Sequence, residues 1–191
     1  MDKRNGKQYR YMVPELRSEQ TEDGKKHIRG YFAVFGEEYK MFPGFSETID
    51  PNAFNNTLAN DIRALWNHNP DIVLGRTTVK TLTLGVDSHG LYGDIEINEK
   101  DSDANNAHAR VERGDVSQCS FGFFIIREEL SERPDGSWHS RLLELEVFEV
   151  SPCTFPAYQQ TSISARADEI TQMRKRQIDV WKQQQKARLR K

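Results

Sequence analysis

The sequence predicts a mainly β, barrel-like fold with short flanking helices and a basic helical tail at the C-terminus. Three observations lead there. Apolar residues are concentrated between Leu65 and Tyr158, period-two alternation recurs within that span, and Lys, Arg and Gln take over from about Arg166. The division that follows is a flexible N-terminal arm over 1–26, a body over 27–165, and a basic helical or disordered tail over 166–191.

Each element has its own reason. The arm is polar, with one edge strand expected near Tyr9 to Leu16. The stretch HIRGYFAVFG brings the first dense apolar run and reads as a buried strand between Gly30 and Gly36. In ETIDPNAFNNTL, Asp50 as an N-cap and Pro51 at the first helical position predict a short helix through about Leu58. DIRALWNH alternates as a strand, with Ile62, Ala64 and Trp66 on one face. That puts His68 at a strand end, entering an Asn69-Pro70 turn. TVKTLTLGVDSHGLYGDIEI reads as a hairpin about Asp87 to Gly90. Asp101 and Asp103 can cap a helix that Gly114 stops. VSQCSFGFFII and SRLLELEVFEVS are strands joined by a turn at Pro134 to Gly136, and they are expected to pair antiparallel. Six or more strands result, closing as a small barrel or a folded sheet.

Size and charge bound the possibilities. The chain has 191 residues, and a body of about 160 residues buries roughly 70% of its unfolded surface. The mean hydropathy is −0.77, and no run approaches the roughly 18 apolar residues of a membrane span. Met1 to Val13 is charged and polar where a secretory signal needs an apolar stretch, so a cytosolic protein is expected. Cys119 and Cys153 make no metal-ligand pattern or disulfide framework and are expected to be reduced. Net charge is −2 overall, but residues 166–191 carry +6 and the rest −8. In the tail, Ile170, Met173, Gln177 and Val180 or Trp181 recur at helical spacing on an otherwise basic helix.

The chemistry centres on His68, in LWNHNP, and Ser120, in QCSFGF. A serine hydroxyl needs a base within hydrogen-bond reach, and histidine, with an ordinary pKa of about 6.5, serves near neutral pH. Gly122, two residues after Ser120, leaves that strand face open to a substrate backbone. A carboxylate should orient the imidazole. In LLELEVFEV strict alternation sets Leu143, Leu145, Val147 and Glu149 on one face, with Glu144, Glu146 and Phe148 on the other. Glu149, at the end of the apolar face, is the preferred partner, and Glu146 stands in reserve. Serine, histidine and glutamate are common, and spacing alone does not select this set. There is no Gly-x-Ser-x-Gly elbow, and no Lys lies three residues after Ser120. Cys119 falls on the face opposite Ser120, and it and Cys153 read as small core residues. His27, His68, His89, His108 and His139 lack the i,i+4 pair of a helix-borne zinc site.

Six segments in fixed order, GYFAVFG, FSETIDPNAF, LWNHNPDIVLGRT, GLYGDIEI, RGDVSQCSFGFF and LEVFEVSPCTFPAYQQT, resemble the prohead proteases of tailed phages. That family looks distantly related to the herpesvirus assembly protease. The resemblance covers about residues 28–162. It implies a herpesvirus-protease-like β fold in which His68 of the NH motif is the base and Ser120 of the SFGF motif the nucleophile. The herpesvirus relatives use a second histidine as third member, and this chain has acids there, so Glu149 of EVS is carried over in its place. Asn52 in DPNAF stands where the family usually has Gly.

The resemblance implies a capsid maturation protease, inside the assembling prohead in the bacterial cytoplasm, that removes the scaffolding segment of the major capsid protein and often cleaves itself. Implied partners are the capsid protein and its scaffolding segment, with the portal, the prohead shell and a second copy of the chain as further candidates. No cofactor, metal, membrane or specific nucleic acid is expected. The basic tail could dock the enzyme onto an acidic or helical scaffold segment, or be a self-removed extension. The alternatives are a non-enzymatic assembly protein that kept the fold, and a nucleic-acid module, which the acidic body argues against.

Overall fold

The computed structural model describes residues 6–12, 16–22, 24–155, 170–173, 175–176, 178–180 and 182–183. Two sheets carry the fold. The smaller runs β2 (Arg17–Gln20), β3 (Lys26–Val34), β9 (Gly90–Glu96) and β8 (Leu82–Val86), all antiparallel. The larger follows the order β1 (Gln8–Met12), β10 (Gln118–Glu132), β11 (Trp138–Cys153), β5 (Phe45–Ile49) and β4 (Tyr39–Phe42). Off that path, β6 (Arg63–Trp66) pairs with β11 and with β7 (Asn69–Arg76). One helix, α1 (Ser102–Glu112), lies between β9 and β10, and helical residues recur within 170–183. The mainly β class with short helices is observed, but the sheets do not close into a barrel. Among the described residues no helix is long and apolar enough to cross a membrane.

The strongest patterns fold as their sequences require. β10 and β11 pair antiparallel across the turn in which the Gly136 N–H bonds Arg133 O, with Gly136 at φ 78°. In the β8–β9 turn, Asp87 Oδ1 accepts from the N–H groups of His89 and Gly90. Asp101 caps α1 by accepting from Asp103 and Ala104, and Gly114, at φ 82°, ends it.

Several expectations are corrected. Residues 51–59 are a succession of turns, not a helix. Asp50 does accept from the Asn52 N–H, but Ala53 O is taken by the Leu145 N–H, and the Thr57 hydroxyl accepts from the Val147 N–H. Bonding to β11 thus replaces the i+4 ladder. The turn near His68 lies two residues earlier than Asn69-Pro70: Asn67 and His68 themselves are the two-residue loop between β6 and β7, with Trp66 opposite Asn69. Their φ values, 53° and 60°, are those of a primed hairpin turn. Pro70 belongs to β7, an edge strand, where a missing N–H is tolerated. Strands β4 and β5 are additional. In the segment expected to be a loose arm, β1 joins β10 and β2 joins β3; Val13 to Glu15 of the expected Tyr9–Leu16 strand lie outside the described residues.

The core lies between the sheets. Ile28, Phe32, Leu91 and Ile95 from the smaller sheet meet Phe121, Phe123, Leu142, Leu145, Val147 and Val150 from the larger, with Phe54 entering from the turn segment. Phe121 stacks on Phe123 with ring centroids 4.7 Å apart and meets Phe54 edge-on. A second cluster joins Phe45 and Trp138 to Ile170, so the tail packs against the body at Ile170. Replacing the fully buried Phe121 by Ala should cost about 3–5 kcal/mol of unfolding free energy in denaturant titrations. A loss below about 1 kcal/mol would mean that this face is not core.

Candidate active site

One face of the larger sheet gathers Ser120, Glu149 and Ser151 beside His68. On β10, Cys119, Phe121 and Phe123 belong to the core, which leaves Ser120 and Gly122 on the opposite face. Ser120 lies opposite Ser151 and Gly122 opposite Glu149. The next pair is Phe123 with Val147, so Phe148 is an extra residue in β11. This β-bulge shifts the phase of the strand. Val147 and Val150 both face the core, and Glu149 leaves the apolar face that strict alternation assigned to it.

His68 arrives from the hairpin turn. β6 runs parallel to β11 with Arg63 opposite Glu149 and Ala64 opposite Val150, which carries the turn toward the end of β11. There the Asn67 N–H bonds Pro152 O, and Asn67 Oδ1 accepts from the Thr154 N–H at 2.8 Å. Asn67 is therefore the clip that holds the turn, and asparagine tolerates the left-handed backbone required.

The result is a half-buried imidazole paired with a buried acid. His68 Nδ1 is 2.7 Å from Glu149 Oε1, and the other carboxylate oxygen accepts from the Ser151 hydroxyl at 2.5 Å. Ser151 Oγ in turn accepts from the His68 N–H. Glu149 is only 2% exposed, so both its oxygens need such donors. With Nδ1 held by the acid, Nε2 is the nitrogen free to exchange a proton. Gly122 makes room for this pair: a Cβ there would lie 2.6 Å from Glu149 Oε1 and 2.7 Å from the Phe148 ring. The space above Gly122 belongs to the carboxylate, not to a substrate backbone.

Two contacts differ from a ready serine triad. Among the described residues no hydrogen bond joins Ser120 to His68. The fully buried Ser120 hydroxyl donates to the Arg10 carbonyl at 2.8 Å, and His68 Nε2 meets Cys153 Sγ at 3.6 Å. Tyr9, opposite Gly122 on β1, covers the imidazole edge-on at 4.7 Å. Burial, and then the negative charge of Glu149, raises the Tyr9 phenol above its ordinary pKa. Burial, again followed by Glu149, pushes the Cys153 thiol up to about 12. Cys119 lies in the core, its Sγ donating to Tyr31 O, and burial raises its thiol well above the ordinary pKa.

The remaining candidates lie elsewhere. Glu146 is exposed, and Glu144 accepts from Asn56. His27 binds Asp94, His139 bonds Ser46 and Thr48, and His108 is buried in α1. No group of three His, Cys, Asp or Glu side chains among the described residues is placed to hold a metal ion. Sequence reading missed Ser151 and the proximity of Cys153 to His68; both follow once the bulge sets residues 149, 151 and 153 on the face of Ser120.

The chain belongs to the caudovirus prohead serine protease family, whose model matches residues 14–176. It is 31% identical over 150 residues to the prohead protease of Enterobacteria phage HK97, a match that covers 76% of this chain and 62% of that relative's length. No solved structure matches.

The raised thiols give a direct check. With a pKa of about 12, Cys153 is thiolate in only about one molecule in ten thousand at pH 8. Iodoacetamide at pH 8 should leave both cysteines unmodified in the folded chain and alkylate both in guanidinium. Rapid modification of Cys153 in the folded state would reveal an activated thiol beside His68 and contradict this picture.

Proposed function

We propose that the chain is a serine endopeptidase that cleaves the scaffolding segment of the major capsid protein inside the assembling prohead, with Ser120 as nucleophile, His68 as base and Glu149 as the group that orients it. The observation that carries this reading is the 2.7 Å His68–Glu149 pair on the sheet face that bears Ser120. Family membership and the relative's name, prohead protease, support the substrate class.

The chemistry follows from the positions. Ser120 Oγ attacks the scissile carbonyl while His68 Nε2 takes its proton and passes it to the leaving amine; water then hydrolyses the acyl-enzyme. Glu149 keeps the imidazole proton on Nδ1 and steadies the imidazolium. For this, Nε2 must exchange Cys153 for Ser120, and the Arg10 carbonyl must release the hydroxyl. Catalytic hydrogen bonds commonly tighten only when substrate is in place.

The nearness of Cys153 to Nε2 favours a second reading, a cysteine nucleophile. Its burial and the adjacent Glu149 charge oppose it, because both disfavour the thiolate that must attack. On the serine reading, residues 27–165 form the protease body. The basic 166–191 segment, fastened through Ile170, holds the enzyme to an acidic scaffold partner.

Co-expression with the cognate major capsid protein, followed by intact-mass analysis, tests the proposal. Wild type should give one discrete truncation of the capsid protein, and Ser120→Ala none. Deleting residues 166–191 should lower the amount of protease recovered in proheads. Full-length capsid protein with both forms, the protease being present in the shells, would instead indicate a scaffolding protein that has kept the fold.

A further inference from the structure

The edge strand β1 lies on the nucleophile-bearing strand in the manner of an extended peptide. It pairs antiparallel with β10, setting Tyr9 opposite Gly122, Arg10 opposite Phe121 and Tyr11 opposite Ser120. The Ser120 hydroxyl reaches the Arg10 carbonyl at 2.8 Å, beside the carbonyl carbon that a nucleophile would attack. The Arg10 side chain turns to the other face. There its Nε and Nη2 both lie 2.7 Å from Glu47 Oε2, and the guanidinium sits 5.4 Å over the Phe123 ring.

Position and charge coincide in one residue. Arg10 presents its carbonyl to Ser120 and its side chain to a pocket in which Glu47, on β5, is 1% exposed. A carboxylate so buried is tolerated only when a cation answers it. Any peptide that took the place of β1 would leave Glu47 unpaired unless it brought its own Arg or Lys. Extended substrates add to sheet edges in this way, with main-chain hydrogen bonds for affinity and side-chain pockets for selectivity.

We propose that β1 occupies the substrate's place, and that Glu47 is a specificity-determining residue that selects Arg or Lys on the amino side of the scissile bond. The proposal rests on the serine endopeptidase reading above. In the reaction, Ser120 Oγ bonds to the carbonyl carbon of the basic residue and the C–N bond following that residue breaks. The serine proton passes through His68 to the leaving amine, and water releases the new carboxylic acid. Glu47 takes no part in these transfers; it fixes which carbonyl is presented. Until substrate arrives, β1 is an internal competitor.

The full chain should be assayed against peptides that differ only at this position, with Arg, Lys, Gln, Leu or Glu, using wild type, Glu47→Gln, Arg10→Gln and Ser120→Ala. Wild type should favour Arg and Lys over Gln by roughly 10- to 100-fold in kcat/KM, the range expected when a buried charged hydrogen bond is lost. Glu47→Gln should remove that preference, bringing kcat/KM for the Arg and Lys peptides to within about 3-fold of that for the Gln peptide measured with the same variant. Arg10→Gln, which weakens the competitor, should lower KM for the Arg peptide. If Glu47→Gln does not fold, the wild-type preference and the Arg10→Gln response still decide. Cleavage indifferent to the residue, or variants that slow all peptides alike, overturns this inference alone and leaves Arg10–Glu47 a structural ion pair. No cleavage of any peptide by wild type, or equal cleavage by Ser120→Ala, overturns the endopeptidase reading and this inference with it.

Discussion

The bulge at Phe148 is the constraint on which the site depends. Upstream of it, β11 points Leu145 and Val147 into the core; downstream, Val150 takes that role, and Glu149, Ser151 and Cys153 face the other way. Without the extra residue Glu149 would point its carboxylate among Phe121, Phe123 and Leu142, away from His68 and Ser151, the donors that now hold it. The same strand then positions the imidazole. One edge of β11 receives β5, the turn segment at Ala53 to Thr57, and β6 in succession, and β6 delivers the Asn67-His68 turn to its end. Acid and serine thus lie on two adjacent strands, and the turn that carries the imidazole is bonded to the end of one of them.

The arrangement describes a covered site. β1 hides Ser120, Tyr9 lies against His68, and Nε2 faces a thiol that burial keeps protonated. On the proposed serine mechanism each of these contacts must be exchanged before acyl transfer, and the first two follow from the seat of β1 on the edge of β10. If the chain cleaves a shell protein, as proposed, such cover is useful, because a site filled by its own edge strand would yield only to a segment presented at high local concentration.

Much of this was legible in the sequence. The alternation of QCSFGFFII and of the strand after it, the Asp87 to Gly90 turn and the Asp101 cap all carry local signals, and the structure realises them as β10, β11, the β8–β9 hairpin and α1. His68, Ser120 and Glu149 could be singled out by chemistry, and the structure sets Glu149 on His68, although the face assigned to it was wrong. A one-residue bulge leaves no mark on composition or period within so short a strand. β4 is too short to show alternation. The pairing of Arg10 with Glu47 spans 37 residues and depends on the sheet bringing β5 back to β1, which no local pattern encodes. The helix expected after Pro51 failed for a similar reason: its caps were present, but β11 offered its backbone groups better partners.

The central claim is that Ser120 is the nucleophile and His68 its base. It is tested most directly by treating the full chain with a fluorophosphonate, which bonds to activated serines, and locating the adduct by peptide mass mapping in wild type and His68→Ala. The account predicts one adduct, on Ser120, formed at least about 100-fold more slowly when His68 is replaced, the scale of general-base assistance. An adduct on Ser151, or labelling of Ser120 at the same rate without His68, would contradict it.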